Sequence, residues 1–169
     1  MWTPEEIRRD FPILEETVNG RPLIYLDNAA TTQMPEPVLE KMCAHYSHDH
    51  ANVHRGIHTL SERSTEEMEQ ARHIIQELIG AEHPEEIIFT SGATDSINLL
   101  ARSLSFGLLK PGDEILTTEM EHHANLIPWQ EACRRRKAKL RIVPVTTSGD
   151  LDYGSFQQML TEKTRLVAV

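Results

Sequence analysis

Cysteine is almost missing from this 169-residue chain, which carries only Cys43 and Cys133. Each falls in a helical pattern, so neither a disulfide framework nor a cysteine-based metal site has support, and both read as buried, inert thiols. No stretch approaches the roughly 18 apolar residues that a membrane-crossing helix needs, and the opening MWTPEEIRRDF is charged from its fifth residue. The expectation is a cytoplasmic chain that does not enter a membrane. Basic charge is also scarce: 17 Lys and Arg stand against 26 Asp and Glu, a net charge of −9. That balance argues against nucleic-acid binding by phosphate neutralisation and leaves small molecules or proteins as partners. Internal repeats, low-complexity linkers, GxGxxG, a Walker loop and HExxH are absent as well, so neither a dinucleotide nor an NTP is indicated.

What is present is an ordinary globular composition, 39% hydrophobic, in a length that fits one domain with a real core. TPEEI reads as a helix start, with Thr3 as the cap and Glu6 three residues on. RPLIYLD is a brief strand candidate; residues 27 to 34 are irregular and lead into a helix opened by Pro35 and Pro37. Met68, Ala71, Ile75 and Leu78 recur at steps of three and four, which predicts a long helix from about Leu60 to Ile79 with Gly80 as its end. Beyond it, EIIFT, DSINLLARSLSFGLL, DEILTTE, NLIPWQEACRRRK, KLRIVPVT and RLVAV alternate strand and helix. Alternation of that kind predicts an α/β fold with a mostly parallel sheet flanked by helices, whose ligands bind beyond the carboxyl ends of the strands.

Two segments fall at that edge. In TSGATDSINLLA, Gly92 opens a helix whose first N–H groups and dipole favour an anion, with Ser91, Thr94 and Ser96 as further hydroxyl donors; converging donors suit a phosphate. An ordinary capped helix accounts for the same residues, and the role of Asp95 is left open. EMEHHAN places His122 and His123 just after a strand, where an imidazole can stack on an aromatic ring and handle protons near neutral pH. His45, His48, His50, His54 and His58 crowd into 14 residues, yet Gly56 interrupts the spacing and no carboxylate stands at a ligand position, so no metal site is assigned. His54 and Arg55 beside Gly56 read as a loop reaching a ligand or a partner subunit. Arg134, Arg135, Arg136 and Lys137 read as a solvated helix end.

YLDNAATT, HANVHRGIHTLSERSTEEME, IIFTSGATDSINLLA, EMEHHANLIPWQ and TRLVAV resemble, in order and spacing, the N-terminal part of group II (SufS-type) cysteine desulfurases and selenocysteine lyases, of the aminotransferase class V family. The resemblance runs from about Ile7 to Val169 and implies the pyridoxal-phosphate (PLP) transferase fold, type I. By it, residues 1–20 form an N-terminal helical arm and 21–169 the front part of the large cofactor-binding domain. It makes Ala93 and Thr94 the phosphate cup and His122 the catalytic residue that stacks on the pyridine ring. Ala29, Ala30, His54, Arg55 and His123 fall in the substrate pocket. It further implies L-cysteine or selenocysteine as substrate, a homodimer and a sulfur-acceptor protein. The family's cofactor-bearing lysine, pyridine-pairing Asp, substrate-carboxylate Arg and nucleophilic cysteine belong to sequence after Val169, so this chain is expected to be inactive alone. Another class V lyase or aminotransferase, a non-catalytic binding or dimerisation module and a histidine-rich metal carrier are the alternatives.

Overall fold

The computed structural model describes residues 3–169; the first two residues of the expected arm lie outside them. The chain forms two compact units that divide after Ile87.

The first unit begins with α1 (Pro4–Arg8). Its capping box is the one the sequence predicts: Thr3 Oγ1 accepts the Glu6 amide at 3.2 Å and the Glu6 carboxylate accepts the Thr3 amide at 2.8 Å. Strands β1 (Thr17–Val18) and β2 (Arg21–Pro22) pair antiparallel around Asn19 and Gly20, whose φ values of 54° and 73° are the positive angles a tight hairpin turn requires. The remainder of RPLIYLD is not a strand: Ile24 and Leu26 are exposed and have no ladder partner among the described residues. Helix α2 (Glu36–Ala44) follows Pro35 and runs into a π-helical turn at His45–Asp49. Helix α3 (Thr59–Ile79) ends at Gly80, left-handed at φ 69°, as the periodicity predicts. Its first turn buries the hydroxyls of Ser61 and Ser64, which donate to the carbonyls of Asn52 and Asp49 at 2.6 and 2.5 Å and strap the preceding loop to the helix. Gly56 must be glycine there, since a Cβ would come within 2.4 Å of the Ser61 side chain.

The second unit holds α4 (Ala93–Leu108), β3 (Glu114–Thr118), α5 (Ile127–Arg136), β4 (Lys139–Val143), α6 (Tyr153–Met159) and β5 (Thr164–Ala168). The three strands form a parallel sheet in the order β4-β3-β5, with Leu116 opposite Arg141 on one side and Val167 on the other. This is the α/β architecture the alternation predicts. The expected strand EIIFT is not part of this three-stranded sheet: Pro84–Glu86 is a 3-10 turn, and residues 87–90 lie outside its strands. Both edges of β3 are already taken, and a strand exists only where its N–H and C=O groups find a ladder. Helix α6 escaped the sequence reading because it is short and contains Gly154; its one signal is Asp152, which caps it by accepting the Ser155 amide at 3.0 Å.

The core lies on one face of this sheet, where Ile115 of β3 and Ala168 of β5 meet Ala101 of α4, Leu109, and Trp129, Ala132 and Cys133 of α5. At the start of β3, Asp113 and Glu114 are buried but paired, with Arg165 at 3.3 Å and Arg141 at 3.3 Å. No helix among the described residues is long and apolar enough to cross a membrane.

Thr117 is fully buried, and its Oγ1 has no hydrogen-bond partner among the described residues. A buried hydroxyl left unpaired costs about 1–3 kcal/mol. Thr117→Val is therefore expected to leave stability unchanged or raise it by about 1 kcal/mol, whereas Leu116→Ala on the same strand should cost about 2–5 kcal/mol. Denaturant titration of both variants checks this, and a Thr117→Val loss as large as that of Leu116→Ala would contradict it.

Candidate functional site

The site starts at the mouth of α4. Gly92 takes φ 147° and ψ 175°, a backbone angle that side chains disfavour, while the space around its missing Cβ is open. The angle, not crowding, demands glycine. Ser96 N–H reaches back to the Gly92 carbonyl at 3.0 Å, but the N–H groups of Ala93, Thr94 and Asp95 meet no acceptor among the described residues. Three convergent amide donors at the positive end of a 16-residue helix form an anion-binding surface.

The hydroxyls divide in a way the sequence does not foretell. Ser91 Oγ donates to Asp95 Oδ2 at 3.1 Å, and Thr90 and Ser96 share a 2.7 Å contact, so these side chains brace the turn itself. Thr94 Oγ1 alone of the turn's hydroxyls has no partner among the described residues. Asp95 also finds its role here: Oδ2 accepts both the amide and the hydroxyl of Ser91, which folds the carboxylate back onto the turn.

Thr94, His122 and His123 come together on a cavity of about 460 Å³ between α4 and α5. Two further liners, Asn98 and Arg102, were not singled out in the sequence; they follow Thr94 at four-residue steps, the spacing of one helix face. They also border a hollow of about 600 Å³ that Gly92, Ala93 and Thr94 line at the helix mouth. Arg102 makes no ion pair among the described residues, and it lines the same hollow as the free amides. His122 caps the 3-10 turn His123–Asn125, its Nδ1 accepting the Ala124 amide at 3.1 Å. The ring centroids of His122 and His123 are 6.3 Å apart.

The other residues singled out in the sequence belong to the first unit. Ala29 and Ala30 form a turn in which the Ala30 amide donates to the Asp27 carbonyl at 3.2 Å. His54 takes a left-handed φ of 62°, its amide donates to Thr65 Oγ1 at 2.9 Å, and its Nε2 faces Glu69 at 3.2 Å. Arg55 beside it is exposed. Three further histidines of that cluster serve local ends: His45 faces Glu67 at 3.3 Å, His50 leans on Tyr46 at 5.1 Å, and His58 caps α3. Glu67 is held below the usual carboxylate range, chiefly by its hydrogen bond from Lys41. Among the described residues no three His, Cys, Asp or Glu side chains gather where they could hold a metal ion.

The basic run at the end of α5 is exposed at Arg134, Arg135 and Lys137, as a solvated helix end would be, and its arginines also find acceptors. Arg134 and Arg135 both turn onto Glu131, at 2.8 and 2.6 Å, and their hydrogen bonds lower its pKa to about 2. Arg136 donates to the Leu109 carbonyl at 3.1 Å. The two thiols also separate. Cys133 is buried and desolvation raises its pKa to about 11, while Cys43, contrary to the expectation that both are buried, is exposed on α2. Neither thiol lines the cavity or the hollow, and neither does any of the five lysines.

A parallel sheet with an anion-binding helix mouth at one end and a histidine turn beside it defines a class of protein. Residues 24–169 match the aminotransferase class-V family model, and the chain belongs to that family. Within it, the chain is 49% identical over 163 residues to a probable cysteine desulfurase of Synechocystis sp. (strain ATCC 27184 / PCC 6803 / Kazusa), covering 96% of this chain and 39% of that protein. The apo cysteine desulfurase of Thermococcus onnurineus NA1 superposes with a TM-score of 0.87 at 39% identity, over 99% of this chain and 40% of that one. A C-DES variant with glycine covalently linked to its PLP cofactor matches at a TM-score of 0.63 and 25% identity, over 80% of this chain and 34% of that one. The chain spans between 24% and 40% of the length of the curated relatives it matches.

The contrast between the two thiols gives a direct check. At pH 8 a thiol reagent is expected to modify Cys43 in the native chain and Cys133 only after denaturation, because a thiol with a pKa near 11 holds almost no thiolate there. Equal native rates for the two, read by peptide mass spectrometry, would contradict the placement of Cys133.

Proposed function

We infer that this chain is the front part of a PLP-dependent cysteine desulfurase, which takes L-cysteine to L-alanine by breaking the Cβ–S bond and passing the sulfur to an enzyme cysteine as a persulfide. One observation carries the reading: the amides of Ala93, Thr94 and Asp95, unpaired among the described residues, line a hollow that shares Thr94, Asn98 and Arg102 with the cavity that His122 lines. The cofactor fits this donor set, since its phosphate needs several donors at one point and its flat ring needs a flat partner. The desulfurase relatives and the PLP-bearing neighbour support the same assignment.

In this reading Ala93 and Thr94 hold the phosphate through their N–H groups, and Thr94 adds its hydroxyl. His122 stacks on the pyridine ring and moves protons near it. Ala29, Ala30, His54, Arg55 and His123 contribute to the substrate pocket. PLP, when bound, supplies an electron sink for bonds broken at the amino acid. Residues 1–20 form the arm and 21–169 the front of the large domain; the complete enzyme is a cytoplasmic homodimer that hands sulfur to an acceptor protein. The amine and thiolate that covalent chemistry requires come from outside these 169 residues, since no lysine or cysteine lines the cavity or the hollow.

Two outcomes are expected from the purified chain. It retains PLP, followed by visible absorbance and dialysis, but releases no alanine from L-cysteine. Thr94→Ala weakens retention roughly tenfold or more, the value of a hydrogen bond to a charged group, and His123→Ala leaves it within about twofold. Equal retention by the two variants refutes the phosphate cup, and alanine release refutes the need for outside groups.

A further inference from the structure

Glu121, Asn125 and Trp129 stand four residues apart and bracket the histidine turn. The indole of Trp129 is buried in the core cluster, and its Nε1–H donates to Asn125 Oδ1 at 2.9 Å. That bond fixes which way the Asn125 amide faces. Its Nδ2 then donates to Glu121 Oε2 at 2.8 Å, while Glu121 Oε1 accepts from Thr118 Oγ1 at 2.8 Å, at the end of β3. The direction of each link is determined, because an indole only donates and a carboxylate only accepts. The backbone closes the same ring: the Asn125 amide donates to the His122 carbonyl at 2.8 Å.

Asn125 is thus tied back twice, by its side chain to Glu121 and by its amide to the His122 carbonyl, with His122, His123 and Ala124 inside the staple. The staple is anchored at both ends on buried residues, Thr118 and Trp129. Inside it the Ala124 amide faces His122 Nδ1 at 3.1 Å. A ring nitrogen that accepts a hydrogen bond carries no proton, so the neutral imidazole has its proton on Nε2.

We propose that Glu121, Asn125 and Trp129 are positioning residues for His122: the staple holds the turn so that the Ala124 amide fixes the plane and the Nε2–H tautomer of a ring that lines the cavity. Its purpose rests on the cofactor reading above, because a ring that stacks on a ligand must be held in orientation before the ligand arrives.

The test uses the 169-residue chain labelled with 15N-histidine, and reads from the imidazole nitrogen shifts which nitrogen carries the proton. His123, whose ring makes no hydrogen bond among the described residues, serves as the reference. In the wild-type chain above the histidine titration range, His122 is expected to show an unprotonated Nδ1 and a protonated Nε2. Asn125→Ala removes the link and Asn125→Asp sets two carboxylates against each other; both are expected to give the averaged pattern of a free imidazole. Glu121→Gln keeps the fixed tautomer, since its carbonyl still accepts from Asn125 and its NH2 can face Thr118 Oγ1. A proton on Nδ1 in the wild-type chain overturns the proposal, and so does a wild-type pattern that survives in both Asn125 variants. Should those variants fail to fold, the wild-type tautomer and its retention in Glu121→Gln still decide. PLP titration of the same samples separates the two readings. A fixed tautomer without PLP binding supports the staple and refutes the cofactor, while PLP binding with an averaged His122 ring refutes the staple alone.

Discussion

The second unit depends on β3 being paired along both edges. A central parallel strand buries residues on both faces, and every residue from Glu114 to Thr118 is buried. That is costly for Asp113 and Glu114, whose carboxylates leave water with the strand, and the cost is offset by Arg165 from β5 and Arg141 from β4. The same two charge pairs join the central strand to each neighbour near its start. With β3 so placed, Ile115 fixes where α4 and α5 pack, and Thr118 fixes where the chain leaves the sheet. The histidine turn follows within four residues of that exit, so its position is inherited from the sheet.

The mouth of α4 works by a different economy of hydrogen bonds. A turn with this many hydroxyls could have capped all its own amides, as the alternative reading of the sequence supposed. Instead Thr90, Ser91, Asp95 and Ser96 satisfy one another, and Ala93, Thr94 and Asp95 keep their amides open. The polar residues make the turn rigid without filling the place where an anion would sit. The Asp95 carboxylate fits this picture because its hydrogen bonds from Ser91 draw it onto the turn. In a chain of net charge −9, a hollow lined by open amides and Arg102 is a local exception that favours a negative ligand.

How much of this was legible follows from how local each signal is. Helices α3, α4 and α5 and strands β3, β4 and β5 were readable because periodicity, caps and breakers lie within the segments themselves. Residues 23–27 and EIIFT have the composition of strands but belong to neither described sheet, and a partner is information that no short window contains. The histidine pair and the Gly92 turn were legible as a site, while the allocation of their hydrogen bonds was not, because it depends on which hydroxyl reaches which carboxylate. The staple did leave a trace: Glu121, Asn125 and Trp129 at steps of four are spaced like residues of one helix face, although the first two lie before α5 begins. Cys43 shows the opposite failure, since membership of a helix was read correctly and the side it faces was not.

Holding a cofactor and breaking a bond with it are separate physical tasks, and this chain divides them. In the function proposed above, holding needs donors, a flat ring and a fixed geometry, the parts assigned there to Ala93, Thr94, His122 and the staple. Bond-making needs an amine or thiolate that can be deprotonated beside the ligand. Lys41 is tied to Glu67, Lys137 closes α5 in a left-handed turn, and burial keeps Cys133 protonated. In the proposed function the reactive groups reach His122 from outside these elements, and the part proposed for these residues is a surface on which cofactor and ring are oriented beforehand.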